Sequence, residues 1–339
     1  MRLPAVSIVV PTYDRAELLP VALDSVLAQE GPRTELIVVD DGSTDGTPEV
    51  LAAYAREVGP DQFRTAVVSH GGQVPALNHG FTMARGEVLG TLASDDALTP
   101  GAIRVLVEEL DRHPEAVAAY GDNNLIDAEG RVFDVFRAYN HTAPLAVSLQ
   151  TSALGVGVLF RREVYDVLGG WNPNTRYLPD FEYWIRAALL GAFHKVPGIV
   201  GLLRVHPGAI THAERGLAMA RERLALLDRL LADPHVAPHL EAVRSTAYRN
   251  AFFSGGLDIA PDEVNRPGER FFVDDTFAAR MTQLGVDRRA SELTSYQGAL
   301  ADAERRLQEQ DAAIRALTEA VAERDDQLDE ANATQYPPA

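Results

Sequence analysis

Hydrophobic and polar positions alternate along the first 125 residues in a way that predicts repeated strand–helix units. The segments 6–10 and 35–39 are short β-branched runs typical of buried strands, whereas 16–29 carries apolar residues at helical spacing. Further strands are predicted at 65–69 and 88–92, and further helices at 47–58, 75–84 and 103–112. This order predicts an α/β domain with a mostly parallel, doubly wound sheet.

The alternation weakens after about residue 125, which predicts a second half built differently. Strands are expected at 132–139 and 155–161, and an amphipathic helix at 180–190. A long helix is expected at 213–231. We therefore predict a helical extension over 213–257, followed by a linker with short elements over 258–290, where Pro, Gly and charged residues are frequent.

The segment 291–335 follows a seven-residue repeat and predicts a C-terminal coiled-coil helix. One seam is formed by Leu293, Leu300, Leu307, Ile314, Val321 and Leu328, and the second by Tyr296, Ala303, Gln310, Leu317, Arg324 and Ala331. Such a repeat joins copies of a chain, as a dimer or a trimer. A single solvated helix is the alternative, because Gln310 and Arg324 interrupt the second seam.

The composition of the chain excludes several kinds of functional site and disfavours one class of partner. The 339 residues are 46% hydrophobic, enough for a substantial core, and the absence of cysteine excludes disulfides, thiolate metal sites and a cysteine nucleophile. A net charge of -18 disfavours nucleic acid as a partner. No stretch approaches 18 uninterrupted apolar residues, so we expect a cytoplasmic protein, with the inner face of the membrane as a second location.

Two pairs of adjacent carboxylates follow predicted strands. Asp40 and Asp41 come after the strand at 35–39, and Asp95 and Asp96 come after the strand at 88–92. In an open α/β sheet the ligand crevice lies beyond the carboxyl ends of the strands. Adjacent acids there are typical of contacts with a ribose, a base edge or a divalent cation, although a capped turn or an exposed acidic turn is the alternative.

Several motifs occur in one order between about residues 5 and 212. They are Ser-Ile-Val-Val-Pro-Thr-Tyr-Asp-Arg, Val-Val-Asp-Asp-Gly-Ser-Thr-Asp, Ala-Leu-Asn-His-Gly, Ser-Asp-Asp, Leu-Gly-Gly-Trp-Asn, Asp-Phe-Glu-Tyr-Trp and Arg-Val-His-Pro-Gly. In this order they resemble the motifs of family 2 glycosyltransferases of the GT-A fold. The resemblance implies a GT-A domain over 1–212, with a nucleotide-sugar half at about 1–125 and an acceptor half at about 126–212.

The resemblance also implies roles for the matching positions on the donor side. The implied nucleotide-binding residues are Pro11, Thr12, Tyr13, Arg15, Asp41 and Asp95. Asp96 would hold the metal, Mn²⁺ or Mg²⁺, with His206 as a further ligand; a loop histidine satisfied by the backbone is the alternative for His206.

On the acceptor side, the resemblance implies that Asp180 is the catalytic base. Without it, an Asp that opens a helix is ordinarily an N-cap. Trp171, Glu182 and Trp184 are the implied acceptor contacts. Aromatic residues at this spacing are equally expected in a core.

Together these expectations describe an inverting, metal-assisted glycosyltransferase of the hexosyltransferase class. Its donor would be a UDP-, dTDP- or GDP-linked sugar, and its acceptor a glycan or lipid-linked glycan in cell-surface polysaccharide biosynthesis. Two alternatives remain open: a catalytically silent scaffold that recruits partners through its coiled coil, and a sugar nucleotidyltransferase. The latter usually carries a Gly-rich phosphate loop, which the turn at 11–15 lacks.

Overall fold

The computed structural model describes residues 5–149, 154–206, 217–234, 236–244 and 247. All of them belong to the first of the chain's two units, Met1–Leu284. The predicted linker at 258–290 and the predicted coiled coil at 291–335 lie outside the described residues.

Nine strands of the described residues form one sheet. They are β1 (Val6–Thr12), β2 (Thr34–Asp40), β3 (Phe63–Val67), β4 (Val88–Thr91), β5 (Ala97–Leu98), β6 (Ala116–Ile126), β7 (Val132–Phe136), β8 (Leu159–Arg161) and β9 (Ala192–Arg204). The helices are α1 (Leu19–Leu27), α2 (Thr47–Val58), α3 (Gln73–Met83), α4 (Ala102–Arg112), α5 (Ala143–Leu149), α6 (Arg162–Leu168), α7 (Pro179–Leu190), α8 (Leu217–Ala232) and α9 (Ala237–Leu240), with a 3₁₀ turn at Glu241–Val243.

The sheet has a parallel half and a mixed half. Its order is β3-β2-β1-β4-β8-β6-β9-β5, and β7 pairs with β6 outside this path. The strands β3, β2, β1 and β4 are all parallel. Beyond them β8 runs antiparallel to β4 and β6, whereas β9 runs parallel to β6. The carboxyl ends of β2, β1 and β4 therefore meet at one edge, as the α/β prediction requires.

Helices cover both faces of the sheet, and the alternation of side chains along β1 explains why. Ile8 and Val10 pack on one face with α1 and α4, while Val9 packs on the other face with α3 and α7. All seven residues of β1 are buried. Burying each Val or Ile side chain contributes roughly 1.5–3 kcal/mol, so β1 is a central element of the core.

Gly80 allows α3 to approach β1 closely. A Cβ atom at this position would lie 2.3 Å from Cγ1 of Val9 and 3.1 Å from Cγ2 of Val39. No side chain fits in that space without moving the helix. The glycine therefore sets the depth at which α3 packs on the sheet.

The predicted elements of the first 112 residues are confirmed, with shifts of a few residues at their ends. Helix α2 has the predicted bounds, while β3 begins two residues earlier than expected. The long strands β6 and β9 were not predicted. Gly121, Asp122 and Asn123 interrupt the apolar pattern of β6, and Pro197 and Gly198 interrupt that of β9.

None of the helices within the described residues combines the length and apolar character needed to cross a lipid bilayer.

Candidate active site

Asp41 organises the turns that follow β1 and β2. Its backbone N–H donates to the carbonyl oxygen of Thr12 at 2.9 Å. Its carboxylate accepts hydrogen bonds from the backbone N–H groups of Gly71 and Gly72, both at 2.8 Å, and lies 3.0 Å from Nδ1 of His70. The residue is 2% exposed. Asp41 thus fixes the loop before α3 against the carboxyl end of β1.

The turn after β1 presents Thr12 and Tyr13 beside this loop. The Tyr13 ring lies 4.2 Å from the His70 ring, centroid to centroid, and the Tyr13 side chain is exposed. The Thr12 hydroxyl is buried and has no hydrogen-bond partner among the described residues. Pro11, just before them, is buried at the end of the strand. An exposed ring and an unsatisfied hydroxyl are suited to binding a ligand.

Arg15 is held in place through its backbone. Its N–H donates to the Thr47 hydroxyl at 3.0 Å, and Asp14 accepts from the Thr44 N–H at 2.7 Å. Asp14 adopts a positive φ of 47°, which its short polar side chain tolerates. The Arg15 guanidinium makes one long contact, 3.5 Å, with the carbonyl oxygen of Asp14. Its charge is therefore available to an anion.

Asp95 and Asp96 follow β4, the neighbour of β1. Asp96 is 6% exposed and its Oδ1 accepts the backbone N–H of Arg204 at 2.8 Å. Burial and the adjacent Asp95 charge raise the pKa of Asp96 to about 8, against the opposing effect of Arg204. The site therefore favours a cation that would compensate the second carboxylate charge.

Arg204 and His206, at the end of β9, complete this acidic corner. Nε of Arg204 donates to the backbone oxygen of Asp95 at 2.8 Å, and its NH1 donates to the backbone oxygens of Asp127 and Ala128. Nε2 of His206 lies 3.0 Å from Oδ2 of Asp95. The sequence motif contained Arg204, but no role was predicted for it.

The donor set of this corner fits a hard or borderline divalent cation. It offers carboxylate oxygens from Asp95 and Asp96 and an imidazole nitrogen from His206, and Mn²⁺ or Mg²⁺ is commonly held by one or two carboxylates together with substrate phosphates. Oδ2 of Asp96 receives no hydrogen bond from a described residue. That oxygen is the natural ligand atom.

Asp180 opens helix α7. Its Oδ1 accepts a hydrogen bond from Nε1 of Trp171 at 3.1 Å. The surrounding protein excludes enough water to raise the pKa of the carboxyl, an effect that the Trp171 hydrogen bond partly offsets. The side chain itself remains exposed. An accessible carboxyl of raised pKa is suited to accepting a proton.

Trp171 and Trp184 belong to the core, which corrects their expected contact with an acceptor. Trp171 is 1% exposed and stacks on Tyr183 at 3.7 Å between ring centroids, with Phe81 on its other side at 5.0 Å. Trp184 is 3% exposed and meets Trp171 edge to face. Neither ring offers a face to a sugar, so the core interpretation holds for both.

Glu182 is also a structural residue, so its expected acceptor contact is corrected as well. It is 5% exposed, and its two carboxylate oxygens receive Nε and NH2 of Arg186 at 2.8 and 2.9 Å. Arg186 in turn donates to the backbone oxygens of Leu168 and Gly170. The buried pair ties α7 to the end of α6.

Asn78 is a site residue that the sequence did not identify. Its amide group donates to the backbone oxygen of Trp171 and accepts from the Trp171 backbone N–H, both at 2.8 Å. Gly170 leaves room for it, because a Cβ there would lie 2.3 Å from the Asn78 oxygen. Asn78 therefore fixes the tryptophan that orients Asp180. The Ala-Leu-Asn-His-Gly motif was the available signal.

The fold is of the GT-A type, which the chain shares with solved structures of other proteins. The TarS fragment 1–349 of Staphylococcus aureus, solved in complex with UDP-GlcNAc, matches with a TM-score of 0.60, 17% identity, and coverage of 76% of this chain and 77% of that one. A mannosyltransferase from Pyrobaculum calidifontis, in complex with GDP-Man and Mn²⁺, matches with a TM-score of 0.51 and 21% identity over 87% of this chain and 83% of that one.

Sequence comparison finds similarity to one protein family over part of the chain. Residues 7–138 match the model of glycosyl transferase family 2. An uncharacterised glycosyltransferase of Nostoc sp. is 28% identical over 228 residues, covering 64% of this chain and 69% of that protein. The chondroitin synthase of Pasteurella multocida is 26% identical over 195 residues, covering 57% of this chain but only 20% of the synthase. Residues 7–138 thus match a family 2 glycosyltransferase domain, and proteins named as glycosyltransferases are among the relatives.

Proposed function

We propose that the protein transfers a sugar from a nucleoside-diphosphate donor to a glycan hydroxyl, with inversion at the anomeric carbon. The observation that carries the proposal is the convergence of Thr12, Asp41 and the Asp95–Asp96–His206 corner at the carboxyl ends of neighbouring parallel strands. This edge is where open α/β sheets bind nucleotides.

The nucleotide would lie over the turns after β1 and β2. The ring of Tyr13 supplies an exposed apolar face for a base, and the buried Thr12 hydroxyl supplies an unused hydrogen-bonding group. Asp41 already accepts two backbone N–H groups, so we assign it to shaping the pocket wall and to a single further contact with the ribose or base. Arg15 would approach the diphosphate with its uncommitted guanidinium.

Asp95, Asp96 and His206 would hold Mn²⁺ or Mg²⁺ together with the diphosphate. When bound, such an ion stabilises the negative charge that develops on the departing nucleotide. Arg204 serves this corner by fixing the Asp96 carboxylate with its backbone N–H and the Asp95 backbone oxygen with its Nε. The neighbour solved with GDP-Man and Mn²⁺ supports the choice of ion.

Asp180 would take the proton from the acceptor hydroxyl as that oxygen attacks the anomeric carbon. A carboxylate in this role needs a fixed orientation and an accessible oxygen. Trp171 holds Oδ1, which leaves Oδ2 to face the acceptor. An in-line displacement with one base inverts the anomeric centre.

The inference about the acceptor rests only on what the relatives are named for. The matched proteins include a chondroitin synthase and a succinoglycan biosynthesis protein, so we infer a glycan or lipid-linked glycan acceptor and a role in surface polysaccharide synthesis. A lipid-linked acceptor would bring the enzyme to the inner face of the membrane.

A donor-hydrolysis screen tests the proposal. The purified full chain is incubated with Mn²⁺ or Mg²⁺ and a panel of UDP-, dTDP- and GDP-sugars, and released nucleotide is measured. We expect release from one donor, dependent on the metal and lost in Asp96→Asn. The exposed Asp61→Asn is the matched control and keeps the activity.

Two results would contradict the proposal. One is no release from any donor together with no metal-dependent nucleotide binding, which would favour the silent scaffold. The other is equal release by wild type and Asp96→Asn, which would place the chemistry elsewhere.

A further inference from the structure

A second cluster of metal-binding side chains lies away from the candidate active site. It is formed by Glu109 in α4, His113 directly after that helix, and His194 near the start of β9. The active-site end of the same strand carries Arg204, ten residues further on. The neighbouring strand β6 pairs Ala119 with His194 and Ile126 with Arg204. Seven residues of β6 at about 3.3 Å each place the two positions roughly 23 Å apart, so the cluster does not belong to the nucleotide site.

The three side chains already have the spacing of ligands around one small ion. One ligand atom from each residue lies within 4.8 Å of the others. Oε1 of Glu109 is 3.5 Å from Nε2 of His113 and 3.3 Å from Nδ1 of His194. With metal–ligand bonds of about 2.1 Å, the edge of a tetrahedron around Zn²⁺ is about 3.4 Å. The two distances match that edge.

In each histidine ring, the nitrogen that is not directed at Glu109 lies near a second carboxylate, that of Glu115. Oε1 of Glu115 is 3.2 Å from Nδ1 of His113 and 3.7 Å from Nε2 of His194. Histidines that bind a metal usually donate their other N–H to a carboxylate, which fixes the tautomer and the ring orientation. Glu115 is placed for this role towards His113 and, at longer range, towards His194.

The remaining contacts are compatible with an ion. Oε2 of Glu109 pairs with NH1 of Arg112, which leaves Oε1 directed at the two histidines. Glu109 is 8% exposed, whereas the side chains of His113 and His194 keep 37% and 24% exposure, so an ion can enter from solvent. The two rings lie 4.2 Å apart between centroids, close enough to share one ion.

We propose that Glu109, His113 and His194 form a second divalent-metal site, selective for Zn²⁺, which fastens the end of α4 to the start of β9. Two imidazoles and one carboxylate favour Zn²⁺ over Mg²⁺ or Mn²⁺, which prefer oxygen ligands. A water molecule would complete the tetrahedral set. The site is structural and separate from the ion proposed for the diphosphate.

Zinc titration of the full chain tests the site. Wild type, His113→Ala, His194→Ala and the control His79→Ala are stripped with a chelator and titrated with Zn²⁺ in competition with a chromophoric chelator. His79 is an exposed histidine outside the cluster. We expect wild type and the control to bind one equivalent more than either cluster variant. Circular dichroism of each variant confirms that the fold is retained.

Two further measurements test the site without removing either histidine. Glu115→Gln retains all three ligands and is expected to weaken Zn²⁺ affinity about 10- to 100-fold. Co²⁺ added to wild type is expected to give the visible absorption of a tetrahedral site. Equal Zn²⁺ stoichiometry in wild type and both cluster variants, or a Co²⁺ spectrum of octahedral type alone, would overturn the proposal and leave a network of ion pairs.

Discussion

At the scale of single residues, Asp180 carries the most specific claim about chemistry. Trp171 orients it from one side, and Asn78 holds Trp171 through two hydrogen bonds. The carboxyl is accessible, and its surroundings raise its pKa above the ordinary value of 3.8. A base with these properties loses activity when it is protonated.

We expect Asp180→Asn to lower kcat for sugar transfer by about 10²- to 10⁴-fold, the usual contribution of general-base catalysis. Donor affinity should stay the same, because the residue does not belong to the nucleotide turns. In wild type, kcat should fall on acidification with an apparent pKa above 3.8, and the variant should lack this limb. A pH profile of kcat for both proteins checks the prediction; an unchanged limb in the variant would assign the base elsewhere.

We expect Glu35 to stabilise the fold through its buried hydrogen bonds and ion pair. It is fully buried in β2, and Oε1 accepts from the Ser7 hydroxyl at 2.6 Å and from the Arg85 N–H at 2.7 Å. Its Oε2 pairs with the Arg85 guanidinium at 2.7 Å. Burial alone would raise the pKa of Glu35, but the hydrogen bonds from Ser7 and Arg85 outweigh it and lower the pKa below 4.5.

A carboxyl with a lowered folded-state pKa stabilises the fold above its unfolded value and loses that contribution as the pH falls. We therefore expect Glu35→Gln to reduce the free energy of unfolding by about 3 kcal/mol at pH 7. The difference from wild type should narrow below pH 4.5. Urea unfolding at pH 7 and pH 4, with the exposed Glu30→Gln as control, measures both effects. If the unfolding free energies of wild type and Glu35→Gln differed by the same amount at both pH values, a lowered pKa of Glu35 would be contradicted.

At the scale of elements, helix α8 supports α7, the helix that carries Asp180. The Glu222 carboxylate of α8 accepts the backbone N–H groups of Arg176, Tyr177 and Leu178 at 3.0, 3.0 and 2.8 Å. These residues precede α7, whose own N-cap makes no side-chain hydrogen bond. The predicted helical extension thus fixes the entry to α7.

We expect Glu222→Gln to loosen this entry and to displace Asp180. The carboxamide keeps one acceptor oxygen but presents an N–H donor to the remaining backbone donors. We predict a fall in kcat of about 10- to 100-fold, because small misplacements of a catalytic group are costly, with donor affinity unchanged. Steady-state kinetics beside the exposed Glu163→Gln test this, and a change in donor affinity alone would contradict it.

The elements also show which parts of the fold could be predicted from the sequence and which could not. The short apolar runs identified β1, β2 and β4, and the acid pairs that follow the runs of β2 and β4 led to the candidate site. In β6, Asn123 is fully buried, and its side-chain amide both donates to the backbone oxygen of Val156 and accepts from the Val156 N–H. A pattern of alternating apolar residues does not predict a buried polar side chain of this kind. The burial of Trp171 depends on a stack assembled from three separate segments, so spacing could not distinguish it from a sugar platform.

At the scale of the whole molecule, the predicted coiled coil at 291–335 lies outside the described residues, and oligomerisation remains a proposal. We expect the full chain to be a dimer or trimer by light scattering. Leu307→Asp and Ile314→Asp, both at the first seam, should shift it to a monomer, while Ala312→Asp, off both seams, should not. Identical masses for all four proteins would contradict the proposal.

The measurement that tests the central claim most directly is the bond cleaved when water replaces the acceptor. Donor hydrolysis is run in H₂¹⁸O, and the released nucleotide is analysed by mass spectrometry. A glycosyl transferase attacks the anomeric carbon, so the water oxygen joins the sugar and the nucleoside diphosphate leaves unlabelled. A nucleotide carrying ¹⁸O, or a nucleoside monophosphate as the product, would mean attack at phosphorus and would contradict glycosyl transfer.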